Sequence, residues 1–312
     1  MNVGRISAAH PPITLADALR PTLSFGTLQN LIRGSLILVF RAFCATISEF
    51  HTPGRIAVAE KLIFEQPLNE RIRTFLRMEY LFNQFEQHMR HASPWDTHSA
   101  VKAIIDILGM VSRSDIKRET IKELERQNSN LRAFVQIPNI NHGRLNILID
   151  QQKKCIDELH GISNMGQALQ QNELLNAIRQ RRSVPGGLCD FDLPVYSYWL
   201  NQPFEHRQKI IQEWFSPFAI LNTSIRIVLQ VIRDSTEPGD QIAENGFFQK
   251  NMETHQSCLL IRVLLPDTAN IFPEISAGKH RFSIRFLKTH NPAFRPEQEM
   301  QNVNFQLACC VL

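Results

Sequence analysis

The feature that most constrains the fold is a short segment, residues 279–286, in which polar and apolar side chains alternate strictly from Arg281 onward. Phe282, Ile284 and Phe286 fall on one side, and basic residues and a serine fall on the other. Side chains of a β-strand point to opposite faces with a period of two, so this pattern predicts a half-buried strand. We expect its apolar side to close a small core and its outer side to carry positive charge.

The outer side of this predicted strand carries Lys279, Arg281 and Arg285. A guanidinium group offers paired N–H donors in a fixed geometry and keeps its charge, so such a row is suited to bind carboxylates. A solvated face that only promotes solubility is an equally simple interpretation. A surface that binds RNA would place aromatic side chains among the basic ones, but the aromatic residues of this strand lie on the opposite side. Binding of nucleic acid through these three residues is kept as the alternative.

The composition of the whole chain narrows the functional classes. Its 312 residues are 43% hydrophobic and 21% charged, which is typical of a folded protein with at least one sizeable core. The net charge of +4 is too small for the footprint of a dedicated nucleic-acid binder. The six cysteines form no CxxC motif, which favours reduced thiols in a cytosolic protein.

Residues 1–60 need a separate interpretation. The apolar stretch 34–47 contains Arg41 and is too short for a transmembrane helix, which needs about 20 apolar residues. It also lacks a clean signal-peptide cleavage site. We therefore expect no membrane insertion, and we interpret residues 1–60 as a dispensable extension or as lying upstream of a true start near Val58 or Leu62.

The region 61–236 has the periodicity of a helical bundle. Apolar residues recur at helical spacing, and short polar segments separate the predicted helices, as in antiparallel bundles. Asn69 and either Ser114 or Asp115 are predicted N-caps. The predicted helices cover about 69–82, 98–110, 115–135, 141–160, 165–182, 204–214 and 217–233, and a further helix is predicted to begin at Pro194.

The region 237–312 changes to strand patterns. Three strands are predicted at 257–265, 279–287 and 302–310, separated by loops that contain Pro266, Pro273 and Pro292, which suggests an antiparallel meander. The segments 61–66 and 187–192 are further strand candidates. We therefore predict an α+β protein with an N-terminal helical bundle domain, 61–236, followed by a small, mostly antiparallel β-sheet domain, 237–312.

Motifs for cofactor binding or catalysis are absent from the sequence. It contains no P-loop, no Gly-x-Gly-x-x-Gly, no His-Glu-x-x-His and no Gly-x-Ser-x-Gly. His88, His91 and His98 with Asp96 are a weak metal candidate, and a histidine-rich helix end is the simpler interpretation.

Two carboxylates remain as a weak candidate for acid–base chemistry. Asp190 and Asp192 would share one face of a short strand, but no histidine lies near them in the sequence. Capping and turn formation explain them better. We predict no enzyme activity, no catalytic residues, no metal site and no cofactor.

Several motifs, in the same order along the chain, resemble the ZapD family of bacterial division proteins that associate with FtsZ. The resemblance extends from about Leu62 to Cys310. Its motifs are residues 64–79 (FEQPLNERIRTFLRME), 179–194 (RQRRSVPGGLCDFDLP), 245–249 (NGFFQ), 272–276 (FPEIS), 279–286 (KHRFSIRF) and 307–310 (LACC).

The resemblance implies a cytoplasmic, non-enzymatic homodimer located at midcell. Members of the family bind the C-terminal tail of FtsZ and crosslink its filaments, which promotes assembly of the Z-ring. The family's basic pocket corresponds to Arg281 and Arg285, and a further family arginine aligns with Arg113. Strand geometry adds Lys279 to this predicted binding site.

Overall fold

The computed structural model describes residues 61–136, 141–252, 258–267, 269–278, 280–289, 291 and 293–311. The interpretation of residues 1–60 and the placement of Lys279 lie outside the described residues. Within them, helices occupy the N-terminal part and antiparallel sheets the C-terminal part. The predicted α+β class is therefore confirmed.

Several helices begin next to a residue whose side chain caps them. The side chains of Asn69, Asp115 and Asn141 each accept a hydrogen bond from the backbone N–H three residues later. The helices are α1 (Glu70–His88), α2 (Pro94–Arg113), α3 (Ile116–Ala133), α4 (His142–Gly161), α5 (Gln167–Gln170), α6 (Glu173–Arg181), α7 (Pro194–Leu200), α8 (Phe204–Phe215) and α9 (Ala219–Arg233), with 3₁₀ turns at Phe134–Gln136 and Ser216–Phe218.

Two helix predictions need correction. The predicted helix 165–182 is divided into α5 and α6, because the Asn172 side chain accepts a hydrogen bond from the Leu175 N–H and starts a new helix. The predicted helix 98–110 begins earlier, at Pro94, where Ser93 is the N-cap. In both cases a capping side chain sets the boundary, whereas the apolar spacing alone places it several residues away.

The strands form two separate sheets, so the predicted single meander is wrong. Sheet A has the strand order β1-β4-β8-β2, and sheet B has the order β3-β6-β5 with β7 paired to β6. The strands are β1 (Lys61–Pro67), β2 (Gly239–Ala243), β3 (Phe247–Asn251), β4 (Cys258–Pro266), β5 (Ile271–Ala277), β6 (Arg281–Lys288), β7 (Glu297–Gln298) and β8 (Val303–Val311).

The two short strand candidates have different outcomes. Residues 61–67 form β1, which pairs antiparallel with β4. The segment 187–192 forms consecutive turns instead of a strand. Pro273, predicted in a loop, lies inside β5, where an edge strand tolerates the missing N–H donor.

Sheet A lies between the helices and sheet B. One face of sheet A contributes Leu260, Ala308 and Cys310 to the large helical core. The other face packs against the apolar side of sheet B in a second core, which includes Phe282, Ile284 and Phe286 of β6. The outer face of sheet B is consequently directed away from both cores.

A tight turn joins the two sheets. Asn245 and Gly246 have φ angles of 50° and 68°, and the Phe247 N–H donates to the Glu244 carbonyl over 2.9 Å. This geometry is that of a type I′ hairpin, for which Asn-Gly is the preferred sequence. A Cβ atom on Gly246 would overlap the Glu299 carbonyl oxygen, so the turn needs glycine for both conformation and space.

The segment Phe204–Arg233, comprising α8, a 3₁₀ turn and α9, is long and apolar enough to pass a simple test for a membrane span. The apolar residues of α9 are buried against α1, α3 and α4 and reach sheet A. Helix α9 is therefore a core helix of the bundle.

Four charged residues join the helical layer to sheet A. Arg233 at the end of α9 donates to both oxygens of Glu65 on β1, over 2.9 and 2.8 Å, and of Glu79 on α1, over 2.7 and 2.6 Å. Arg262 on β4 donates to Glu65 over 3.0 Å. We call these residues the buried arginine cluster, since each side chain is less than one-fifth exposed.

Candidate functional site

Strand β6 presents the predicted arginines on the outer face of sheet B. Phe282, Ile284 and Phe286 are fully buried, whereas Arg281 and Arg285 are exposed, as the alternation predicted. The two arginines are four residues apart, which corresponds to about 13 Å along a strand. They are thus two separate contacts on one rigid face.

Arg285 has a carboxylate directly opposite it on β5. The register pairs Arg285 with Glu274, and the distance from Nη1 to the Glu274 Oε2 is 3.8 Å. The side chains are 53% and 62% exposed, so water screens this ion pair. Local sequence patterns do not indicate this partner, because Pro273 predicts a loop at this position.

On the other side of Arg285, β3 places an aromatic residue on the same face. Phe247 is the cross-strand partner of Arg285 and is 42% exposed. The next residue, Phe248, turns inward, and its ring meets that of Phe305 edge to face at 5.3 Å. The aromatic residues of β6 lie on the core side, as predicted, but β3 adds an exposed aromatic residue that the prediction did not include.

The remaining residues of this surface follow from the register. Ser283 lies between Gln249 and Ser276, and Leu287 lies between Phe272 and Gln298. We call the whole surface the arginine face of sheet B. Its described members are Phe247, Gln249, Asn251, Phe272, Glu274, Ser276, Arg281, Ser283, Arg285, Leu287 and Gln298.

Arg281 lies at the end of this face where β6 begins. Its cross-strand partner on β3 is Asn251, and its carbonyl accepts a hydrogen bond from the Gly278 N–H over 2.9 Å. No carboxylate among the described residues forms an ion pair with its guanidinium. Arg281 therefore carries a charge that is open to a ligand.

Arg113 lies in a different layer of the molecule. It is exposed in the last turn of α2, which packs against α1, α3, α7 and α8, whereas β6 pairs with β3, β5 and β7. The described contacts do not bring Arg113 next to the arginine face of sheet B.

Two of the histidines that formed the weak metal candidate, His88 and His98, have separate partners. His88 Nδ1 lies 2.8 Å from Asp96 Oδ1, and His98 Nδ1 lies 3.0 Å from the Tyr196 hydroxyl. Burial, together with the charge of Lys102, lowers the pKa of His98. In the part of the chain that the structure describes, no group of three or more potential ligands is arranged around a metal position.

The carboxylates considered for acid–base chemistry lie in a turn, so their predicted arrangement on one face of a strand is wrong. Asp192 accepts hydrogen bonds from Arg181 over 3.2 Å and from the Cys189 thiol over 3.4 Å. Asp192 therefore serves to fix this turn against the end of α6.

The chain is similar to known proteins over most of its length. The model of the ZapD family, whose description is "cell division protein", matches residues 76–285 of this chain. The cell division protein ZapD of Coxiella burnetii strain RSA 331 is 36% identical over 255 residues, covering 81% of this chain and 99% of the relative. ZapD of Methylococcus capsulatus is 36% identical with the same two coverages. ZapD of Klebsiella pneumoniae is 35% identical, covering 83% of this chain and all of the relative. The chain therefore belongs to the ZapD family of cell division proteins.

Proposed function

We propose that this protein binds the C-terminal tail of FtsZ through the arginine face of sheet B and crosslinks FtsZ filaments as a homodimer. It would act in the cytoplasm at the midcell division site, where bundling stabilises the Z-ring. The observation that carries the proposal is the presence of two exposed arginines on one strand of a chain from a division-protein family. Arg281 and Arg285 are the tail-binding residues of this proposal.

The strand that carries the arginines is well suited to hold them in place. Three fully buried apolar side chains anchor β6 in the core between the sheets, and β3 and β5 pair with its two edges. Arginines on an anchored strand lose less backbone freedom on binding than arginines on a loop would. The geometry thus favours binding of carboxylates on an extended segment.

Crosslinking follows from two copies of the site. A dimer presents the face twice, and tails repeat along every filament, so weak single contacts can hold two polymers together. Arg113 and Lys279 belong to the proposal as additional cations. Arg113 would contact the filament or tail apart from the arginine face, because it lies in the helical layer.

A second candidate is the binding of nucleic acid by the same face. The exposed ring of Phe247 beside Arg285 favours it, because bases stack on aromatic side chains. The carboxylate of Glu274 on the same face would repel a phosphate backbone. A gel shift that survives excess tail peptide but is lost in the Arg281→Ala/Arg285→Ala variant would support this candidate.

Low-speed sedimentation of GTP-assembled FtsZ tests the proposal. The protein should pellet together with full-length FtsZ and leave tail-deleted FtsZ in the supernatant. Equal pelleting of both forms of FtsZ would contradict binding through the tail.

A further inference from the structure

Arg285 lies between an aromatic residue, Phe247, and an acidic residue, Glu274, so the surface around it is not purely basic. We propose, resting on the proposed function, that Phe247 and Glu274 select the ligand of the arginine face: Phe247 contacts an apolar side chain of the bound peptide, and Glu274 competes with its carboxylate for Arg285. The ligand class is thus an acidic peptide that carries an apolar side chain next to a carboxylate.

Glu274 is placed to act as an internal competitor. It is opposite Arg285 in the register, and the pair is separated by 3.8 Å with both side chains more than half exposed. An exposed ion pair of this kind contributes little and is readily exchanged for another carboxylate. Glu274 therefore weakens the binding of any acidic ligand, because the ligand has to displace it and then lies beside a like charge.

Phe247 is held outward by its neighbours. It directly follows the Asn245-Gly246 turn, and Phe248 is fixed in the core between the sheets, so strand alternation directs Phe247 to the arginine face. An aromatic ring exposed at this position leaves apolar surface in water. A ligand with an apolar side chain would cover that surface, whereas a purely polar polyanion would not.

One rung further along the face, the surface remains apolar. Leu287 and Phe272 are cross-strand partners and are partly exposed. The apolar surface is therefore adjacent to Arg285 and remote from Arg281. This asymmetry predicts that the apolar side chain of the ligand lies near the carboxylate that Arg285 binds.

Fluorescence anisotropy with two synthetic peptides tests the selection. Each peptide has two acidic units joined by a Gly/Ser linker; the units are Glu-Leu-Glu in one peptide and Glu-Ser-Glu in the other, so length and charge are equal. At low salt, the wild-type protein should bind the leucine peptide about threefold more tightly than the serine peptide. Equal binding of the two peptides by the wild-type protein would contradict the role of Phe247.

Variants assign the effects to individual residues. Phe247→Thr, which keeps a good strand former, should reduce the preference for leucine while the serine peptide binds as before. Glu274→Gln should tighten binding of both peptides about twofold to fivefold. The matched control is Glu297→Gln on β7, which removes the same charge from the same sheet. Glu297 is the cross-strand neighbour of Lys288 and lies on the opposite face of the sheet from Glu274. Equal changes in Glu274→Gln and Glu297→Gln would contradict a competitor role.

Parallel sedimentation with FtsZ separates this inference from the proposed function. If wild-type protein fails to pellet FtsZ but still shows the peptide preference, the inference holds and the proposed partner is wrong. If FtsZ pellets through its tail and Glu274→Gln leaves that pelleting unchanged, the proposed function holds and the inference is wrong.

Discussion

The buried arginine cluster and the arginine face of sheet B both contain arginines, but the two regions differ in exposure to solvent and in ion pairing. In the cluster, Arg233 donates to two carboxylates at hydrogen-bond distance and is 19% exposed. On the face, Arg285 is 53% exposed and has one carboxylate at 3.8 Å, and Arg281 has no ion pair among the described residues. The cluster satisfies its charges internally, whereas the face leaves positive charge for a ligand.

The difference follows from position relative to the layers. The cluster lies where α1, α9, β1 and β4 meet, and a charge there has to be paired because water is largely excluded. Burial alone would lower the pKa of Arg233, but its hydrogen bonds and ion pairs with Glu79 and Glu65 outweigh burial and raise the pKa. Arginines on the outer face of sheet B retain their hydration. We infer that the cluster stabilises the fold and that the face is available for binding.

The largest expected effect comes from breaking the cluster. Arg233→Ala leaves Glu65 and Glu79 without their main partner and should lower the free energy of unfolding by about 3 kcal/mol. Urea denaturation followed by circular dichroism measures it. Arg281→Ala, the control on the face, should change the value by less than about 0.5 kcal/mol. Equal destabilisation by the two variants would remove the distinction between the regions.

The second-largest effect is expected from the Asn245-Gly246 turn, which positions β3 of the arginine face. Gly246→Ala forces a side chain into a positive-φ turn and against the Glu299 carbonyl, so it should destabilise the protein by about 2 kcal/mol. It should also weaken FtsZ pelleting without changing any arginine. Gly239→Ala is the control, because no atom lies within 4 Å of its added Cβ. Wild-type stability of Gly246→Ala would show that the turn does not need glycine.

Salt should weaken binding at the arginine face but leave the stability that the buried arginine cluster provides nearly unchanged. Raising ionic strength from about 0.05 M to about 0.3 M shortens the screening length below about 8 Å, so pelleting of FtsZ should fall about fivefold. The free energy of unfolding should remain nearly constant, because the cluster is shielded from solvent. Bundling that does not respond to salt would argue against recognition by exposed arginines.

The smallest expected effect concerns pH. Arginine keeps its charge between pH 5 and 8, so a shift in stability there has to come from other groups. The pKa of His98 is lowered by burial, so its contribution to stability is complete above the unfolded value near 6.5 and is lost as the pH falls through the folded value. The loss of stability between pH 7.5 and 5 should be smaller in His98→Gln than in the wild type. Identical pH profiles would contradict this assignment.

Local patterns predicted much of the fold. The alternation in 279–286 placed Phe282 and Ile284 in a core and Arg281 and Arg285 outside, and the structure agrees. Helix caps such as Asn69 were equally visible, because capping depends on residues within one turn. Such features are local, so a single stretch of sequence contains them.

Pairing between distant strands could not be predicted in the same way. Glu274 and Phe247 reach Arg285 only through the register of β5 and β3, and Glu65 meets Arg233 across 168 residues of chain. Two features of the sequence nevertheless indicate long-range structure. Asn245-Gly246 is a strong hairpin sequence, and Arg262 interrupts an otherwise apolar strand, which suggests a buried partner.

The most direct test of tail binding by the arginine face compares two charge-matched double variants in the sedimentation of full-length FtsZ. Arg281→Ala/Arg285→Ala removes two charges from the arginine face. Arg90→Ala/Arg179→Ala removes two exposed charges from the helical layer, where no ion pair with a described residue engages either one. If the arginine face binds the tail, the first variant loses pelleting while keeping wild-type stability, and the second pellets FtsZ as the wild type does. Equal pelleting by the two variants would contradict the arginine face as the tail-binding site.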